Sequence, residues 1–121
     1  MNQNEVVDSD EQSLVATSAR PEHEVEIPNA PPVRLQTLDL ARHIAIAPDG
    51  KRYVVATFDD TRMNRGFVTA IFPQQNGYLT LIRLVLGEIS HKTPEEALQQ
   101  HVSLVQLIQQ GKLSGFLKSI Q

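Results

Sequence analysis

Two periodicities divide the apolar and polar positions of this chain: strand-like runs between residues 41 and 86, and a three-to-four repeat after Thr93. The run from Ala41 to Ala47 alternates in size and meets Pro48-Asp49-Gly50-Lys51, where proline fixes φ and glycine tolerates a positive φ. Arg52 to Phe58 follows, rich in β-branched and aromatic residues, so the pair predicts a β-hairpin. Gly66 to Phe72, the loop Pro73-Gln74-Gln75-Asn76-Gly77 and the run Tyr78 to Leu86 repeat that grammar, with Asn-Gly as the reversal signal. Val33 to Leu38 is expected to add an edge strand, its start blurred by Pro31-Pro32. Apolar neighbours such as Val54-Val55 and Phe67-Val68 predict a sheet covered on one face and partly shielded on the other.

Thr93-Pro94-Glu95-Glu96 reads as a helix start: a capping hydroxyl, proline at the first position, and acids at the positive end of the helix dipole. Ala97, Leu98, His101, Leu104, Val105 and Ile108 continue it as a broad apolar stripe, and Gly111 is placed to stop it. Leu113, Phe116, Leu117 and Ile120 repeat the spacing over a short closing helix that contains Gly115. The fold class expected is α+β: an antiparallel β-meander of four to five strands packed by a C-terminal long helix and a short terminal helix.

Composition separates off the first part of the chain. Residues 1–32 hold seven acids and one base, a net of −6, together with four of the seven prolines and none of the aromatics. Such a stretch buries too little apolar surface to offset ordering its backbone, so 1–32 is expected to be a flexible acidic arm and 33–121 the globular domain, with a net of +3. Within the arm, Leu14-Val15-Ala16 and the alternating His23-Glu24-Val25-Glu26-Ile27 are the segments suited to docking.

The absence of cysteine excludes disulfides, thiolate metal sites and cysteine nucleophiles. No window approaches the roughly 18 uninterrupted apolar residues of a membrane span, and the N-terminus carries no export signal, so a cytoplasmic protein is expected. Phosphate-binding glycine signatures and nucleophile elbows are missing, and His23, His43, His91 and His101 show no metal-ligand spacing. Neither a cofactor nor a metal is expected. The Pro-Asp-Gly-Lys turn and the Thr-Pro-Glu-Glu cap recur in unrelated folds and point to no family.

Polar chemistry concentrates in the connection between the hairpins, Asp59-Asp60-Thr61-Arg62-Met63-Asn64-Arg65-Gly66, which is longer than a tight reversal requires. Arginine and methionine are enriched where proteins meet, so Asp59, Asp60, Arg62, Met63, Asn64 and Arg65 form the candidate partner-binding set; local ion pairing of the two aspartates with the two arginines is the competing explanation. Arg83 joins the set because it interrupts the apolar run from Leu79 to Leu86 and needs either solvent or a carboxylate such as Glu88 or Asp60. The function expected is a small non-enzymatic protein-interaction module, a regulatory or assembly factor, binding through its sheet, the arginine loop or the acidic arm. The partner is an unidentified protein, and a second copy of the chain is the simplest cover for an open sheet face. A nucleic-acid binder using Lys51, Arg52, Arg62 and Arg65 with sheet aromatics is the alternative, disfavoured by the modest positive charge. A small enzyme or ligand carrier is a third reading; it requires His43, His101, Arg83 or Asp60 to share a pocket.

Overall fold

A computed structural model describes residues 25–74 and 85–120. Four strands, β1 (Asp39–Ile46), β2 (Arg52–Asp59), β3 (Phe67–Pro73) and β4 (Gly87–His91), precede helix α1 (Pro94–Gln109) and the short helix α2 (Leu113–Ser119). All neighbouring strands are antiparallel and the sheet order is β1-β2-β3-β4, an uninterrupted meander. The first reversal closes as its sequence predicts. Gly50 takes φ +88°, its N–H donates to Ala47 O at 2.9 Å, and Asp49 Oδ1 accepts the Lys51 N–H at 3.0 Å.

Helix α1 begins where the cap predicts, with Thr93 Oγ1 accepting the Glu96 N–H at 3.2 Å and Pro94 in the first turn. It ends at a left-handed Gly111, whose neighbour Lys112 donates back to Leu107 O at 3.0 Å. The inward stripe of α1 comprises Ala97, His101, Leu104, Val105 and Ile108. It packs on the sheet face formed by Ala45, Val55 and Ile71, where each fully buried aliphatic side chain contributes roughly 1.5–3 kcal/mol. On the opposite face Ala56, Val68 and Ala70 are buried, whereas Ile44, Val54, Phe58 and Phe72 are half-buried. None of the described helices is long and apolar enough to cross a membrane.

Three expectations about element placement meet different outcomes. The fourth strand is Gly87–His91, C-terminal to the apolar run in which it was expected; Tyr78 to Leu84 lie outside the described residues. Gly87 suits a strand start here, since a side chain at this position would crowd Leu117 and Ile120 of the closing segment. Val33 to Leu38 does not form a strand. The chain bonds the edge of β1 through Ile44 N–H to Pro31 O (3.0 Å), Val33 N–H to Arg42 O (2.8 Å) and a bridge between Pro32 and His43, and then turns into β1 with Asp39 N–H on Gln36 O at 2.9 Å. Two prolines without N–H groups cannot extend that ladder. Finally, Ile27 and Ala30 lie in the core, 6% and 5% exposed, although both fall in the stretch assigned to the arm. Packed structure therefore includes Val25–Pro32, which crosses the sheet edge as a strap and is referred to by that name below.

Gly66 sits at φ +74° just before β3, and a Cβ there would run into the carbonyl oxygen of His91 on β4. Gly50 has the same handedness but open space around it. Gly66→Ala is accordingly expected to destabilise the domain by about 3 kcal/mol or more and Gly50→Ala by only about 1 kcal/mol, read from denaturant midpoints of the two variants.

Candidate functional site

Two polar constellations occupy the same end of the β2–β3 hairpin, one at the surface and one inside. The surface one is the inter-hairpin connection. Asp59 closes a turn by accepting both the Thr61 N–H at 2.9 Å and the Thr61 hydroxyl at 2.6 Å. Asp60 O then accepts from Met63 N and Arg65 N, at 3.1 and 3.2 Å, so Thr61–Met63 coils into a single 3-10 turn. Asn64 exits it in the left-handed region at φ 61°, a conformation its short polar side chain tolerates. Arg65 spans two carboxylates, Asp60 at 2.6 Å and Glu88 of β4 at 3.0 Å. Each pair is partly exposed and contributes on the order of 1 kcal/mol or less; together they hold the loop against the fourth strand.

The predicted partner-binding set thus divides by role. Asp59, Asp60, Asn64 and Arg65 build the loop, whereas Arg62 and Met63 are exposed at its turn, Met63 at 70%. Arg83 lies outside the described residues. Of the two acids suggested as its partners, Asp60 and Glu88, both are bound to Arg65. The aromatics do not share one face. Strand alternation puts Tyr53 and Phe67 on the side of α1, and Phe58 and Phe72 on the other.

The interior constellation starts from His101, on the apolar stripe of α1 and completely buried. Its Nε2 lies 2.8 Å from Nδ1 of His43 on β1, and its Nδ1 lies 2.9 Å from Thr57 Oγ1 on β2. Thr57 Oγ1 contacts Thr69 Oγ1 of β3 at 2.7 Å, and the Thr69 hydroxyl lies 3.0 Å from Ala97 O in the first part of α1. At the other end His43 Nε2 lies 3.1 Å from Val25 O in the strap. The result is one unbranched line of polar atoms running strap, β1, α1, β2, β3 and back to α1. The two imidazoles meet edge to face, with centroids 5.0 Å apart and planes at 69°.

The enzyme or carrier reading requires at least two of His43, His101, Arg83 and Asp60 to point into a common cavity. His43 and His101 do meet, but Asp60 is engaged in the surface loop and both imidazoles are buried, His43 being 3% exposed. His43 borders a cleft of about 480 Å³, roofed by the strap residues Val25, Ile27, Ala30 and Pro32. Thr57 and Thr69 escaped the sequence reading, yet the signal was present. Strand alternation places them with Val55 and Ile71 on the inward face, where a hydroxyl must find a buried partner. Among the described residues no three metal-ligating side chains converge. No protein-family model, curated protein or solved structure matches this chain.

Burial holds the His43 imidazole below its ordinary value of 6.5, the Val25 carbonyl acting weakly in the other direction. Burial, and after it the charge on His43, pushes His101 down to about 3. Both histidines therefore take up protons more readily in the unfolded chain than in the folded one. Their contribution to stability is complete above pH 6.5 and is lost as pH falls from there toward 3, below which the slope flattens. For His101 alone the loss is on the order of 5 kcal/mol, comparable to the whole stability of many small domains. Urea unfolding monitored by circular dichroism at intervals from pH 7.5 to 3.5 is expected to show midpoints falling steadily below pH 6.5, and His101→Gln should flatten that dependence.

Proposed function

We propose that this chain is a non-catalytic protein-interaction module that contacts its partner through the tip of the Asp59–Gly66 loop. The observation that carries the reading is Met63: a large apolar side chain 70% exposed on a turn whose Asp59, Asp60 and Arg65 side chains are already engaged within the chain. Exposed apolar side chains are common when scattered. One held at the apex of a loop braced by Asp60, Arg65 and Glu88 is different, because ordering that segment has been completed before any partner arrives. Arg62 beside it makes no ion pair among the described residues and supplies a planar donor for a carboxylate or carbonyl. An apolar anchor next to an arginine is the combination that dominates interface energetics.

The composition of the site selects the kind of partner. Met63 requires a shallow apolar recess, and Arg62 favours an acidic or carbonyl-lined rim. The catalytic reading has less support, since His43 and His101 lie inside the protein with their nitrogens engaged by protein groups. A second copy of the chain satisfies the same chemistry as a foreign partner and is distinguished by mass.

A photo-crosslinking residue placed at position 63 of the full chain, and in parallel at the exposed Gln106 on the outer side of α1, tests this reading in the native cell. A discrete adduct specific to position 63, reduced about fivefold or more by Arg62→Ala, is expected. An adduct of twice the chain mass would identify a homodimer. Equal labelling at positions 63 and 106, or none at 63, would sink the assignment.

A further inference from the structure

The interior line has a proton count that does not balance. It contains five contacts at hydrogen-bonding distance: Val25 O with His43, His43 with His101, His101 with Thr57, Thr57 with Thr69, and Thr69 with Ala97 O. Each contact needs one hydrogen. Both ends are backbone carbonyls, which only accept. Two neutral imidazoles and two hydroxyls supply four hydrogens, one short of the five required. When neutral, the line therefore leaves one of the five contacts without a hydrogen, and the gap can sit at either end or between any two neighbouring side chains. Directed toward the strap, His43 donates to Val25, His101 to His43, Thr57 to His101 and Thr69 to Thr57, leaving Ala97 O without a donor from the line. Directed toward α1, every donor reverses: Thr69 bonds Ala97 and His43 faces the Val25 carbonyl with a bare lone pair.

One added proton removes the conflict. With His43 doubly protonated, it donates to both Val25 O and His101, and His101 donates to Thr57, Thr57 to Thr69 and Thr69 to Ala97. With the charge on His101 the same five contacts form, so the two states differ only in where a single hydrogen sits between His43 Nδ1 and His101 Nε2, 2.8 Å apart. A second proton would put two N–H groups face to face across that gap and break it. We propose that His43, His101, Thr57 and Thr69 form a buried one-proton binding site, shared by the histidine pair, whose occupation supplies the one hydrogen the neutral line lacks and lets all five contacts bond at once.

The surroundings leave this equilibrium to the line itself. From the strap, Glu26 is the one charged residue beside the cleft, and it is exposed. On β1, Asp39 pairs with Arg42 at 3.2 Å. On α1 the acids Glu95 and Glu96 are exposed in the first turn, and Ala97, Leu104 and Val105 surround His101. On β2 the acid Asp59 is spent on Thr61, on β3 the inward neighbours are Phe67 and Ile71, and on β4 Glu88 is taken by Arg65 while His91 lies opposite Phe67. The only charge that moves His101 is that of His43, which agrees with the pair filling one proton at a time. Thr69 reaches the histidines only through Thr57, so it is a positioning residue for the proton and not its holder.

That separation supplies the test. Thr69→Val is close to isosteric and deletes the Thr57–Thr69 and Thr69–Ala97 contacts, leaving three contacts and three hydrogens, so the neutral line is complete and a further proton has no acceptor. Nitrogen-15 NMR of the imidazoles in the full-length protein, followed from pH 8 to 4, reads each ring separately. In the unaltered chain both rings are expected to shift together through the first step, with the second proton entering at distinctly lower pH. In Thr69→Val the first proton should bind about tenfold more weakly, the worth of one hydrogen bond, and Thr69→Ser should restore the original affinity. Independent titration of His43 with His101 unmoved would overturn the proposal. So would a first-step affinity in Thr69→Val equal to or above that of the unaltered chain. The joint titration is measured on the unaltered protein and decides the matter even if the valine variant does not fold.

Discussion

A fully buried imidazole must be bonded at both nitrogens or lose on the order of 1–3 kcal/mol for each one left bare, and His101 stands under that constraint at the centre of the domain. Its partners come from β1 and β2, and through Thr57 and Thr69 the obligation passes to β3. Helix α1 is thus positioned twice, once by the apolar contacts of Leu104, Val105 and Ile108, and once by a line of directional bonds that fixes its rotation and its register along the strands. Apolar packing alone tolerates sliding and rolling; a helix anchored at both His101 and Ala97 O does not.

The strap depends on the same line. Ile27 and Ala30 supply its apolar grip, and the bond from His43 to Val25 O supplies its direction. That explains how a short segment at the sheet edge is held: Ile27 and Ala30 enter the core and the edge contributes backbone bonds at Pro31 and Val33. The cleft beneath it follows from the proline-rich path, which arches over His43 where a regular strand would lie flat.

The surface loop and the interior line are mechanically adjacent. Thr57 and Asp59 are alternate residues on β2, one inward and one at the start of the turn, and Thr69 and Phe67 stand opposite them on β3. Gly66 lets the chain pass close to the His91 carbonyl of β4 just before β3, and Arg65 beside it pairs with Glu88 of the same strand. An interaction tip built on this hairpin end inherits the rigidity of a core that is bonded as well as packed. Two surface ion pairs could not provide that rigidity alone.

Much of this was legible in the residues themselves. The cap at Thr93, the stop at Gly111, the Asp49-Gly50 reversal and the meander depend on local sterics and on periods of two and 3.6, which a sequence carries without reference to anything distant. The crowding of Asp59 to Arg65 into one polar loop was equally local, although its division into bracing residues and the exposed Arg62 and Met63 needed Glu88 brought in from β4. What only the tertiary structure decided was everything that joins separated positions: that His43 meets His101 across 58 residues, that Thr57 and Thr69 complete their bonding, and that Ile27 and Ala30 enter the core despite acidic, proline-rich surroundings. Hydrogen bonds between distant segments leave no periodic trace, because their partners are selected by the packing of α1 on the sheet and by the demand that no buried polar atom go unpaired.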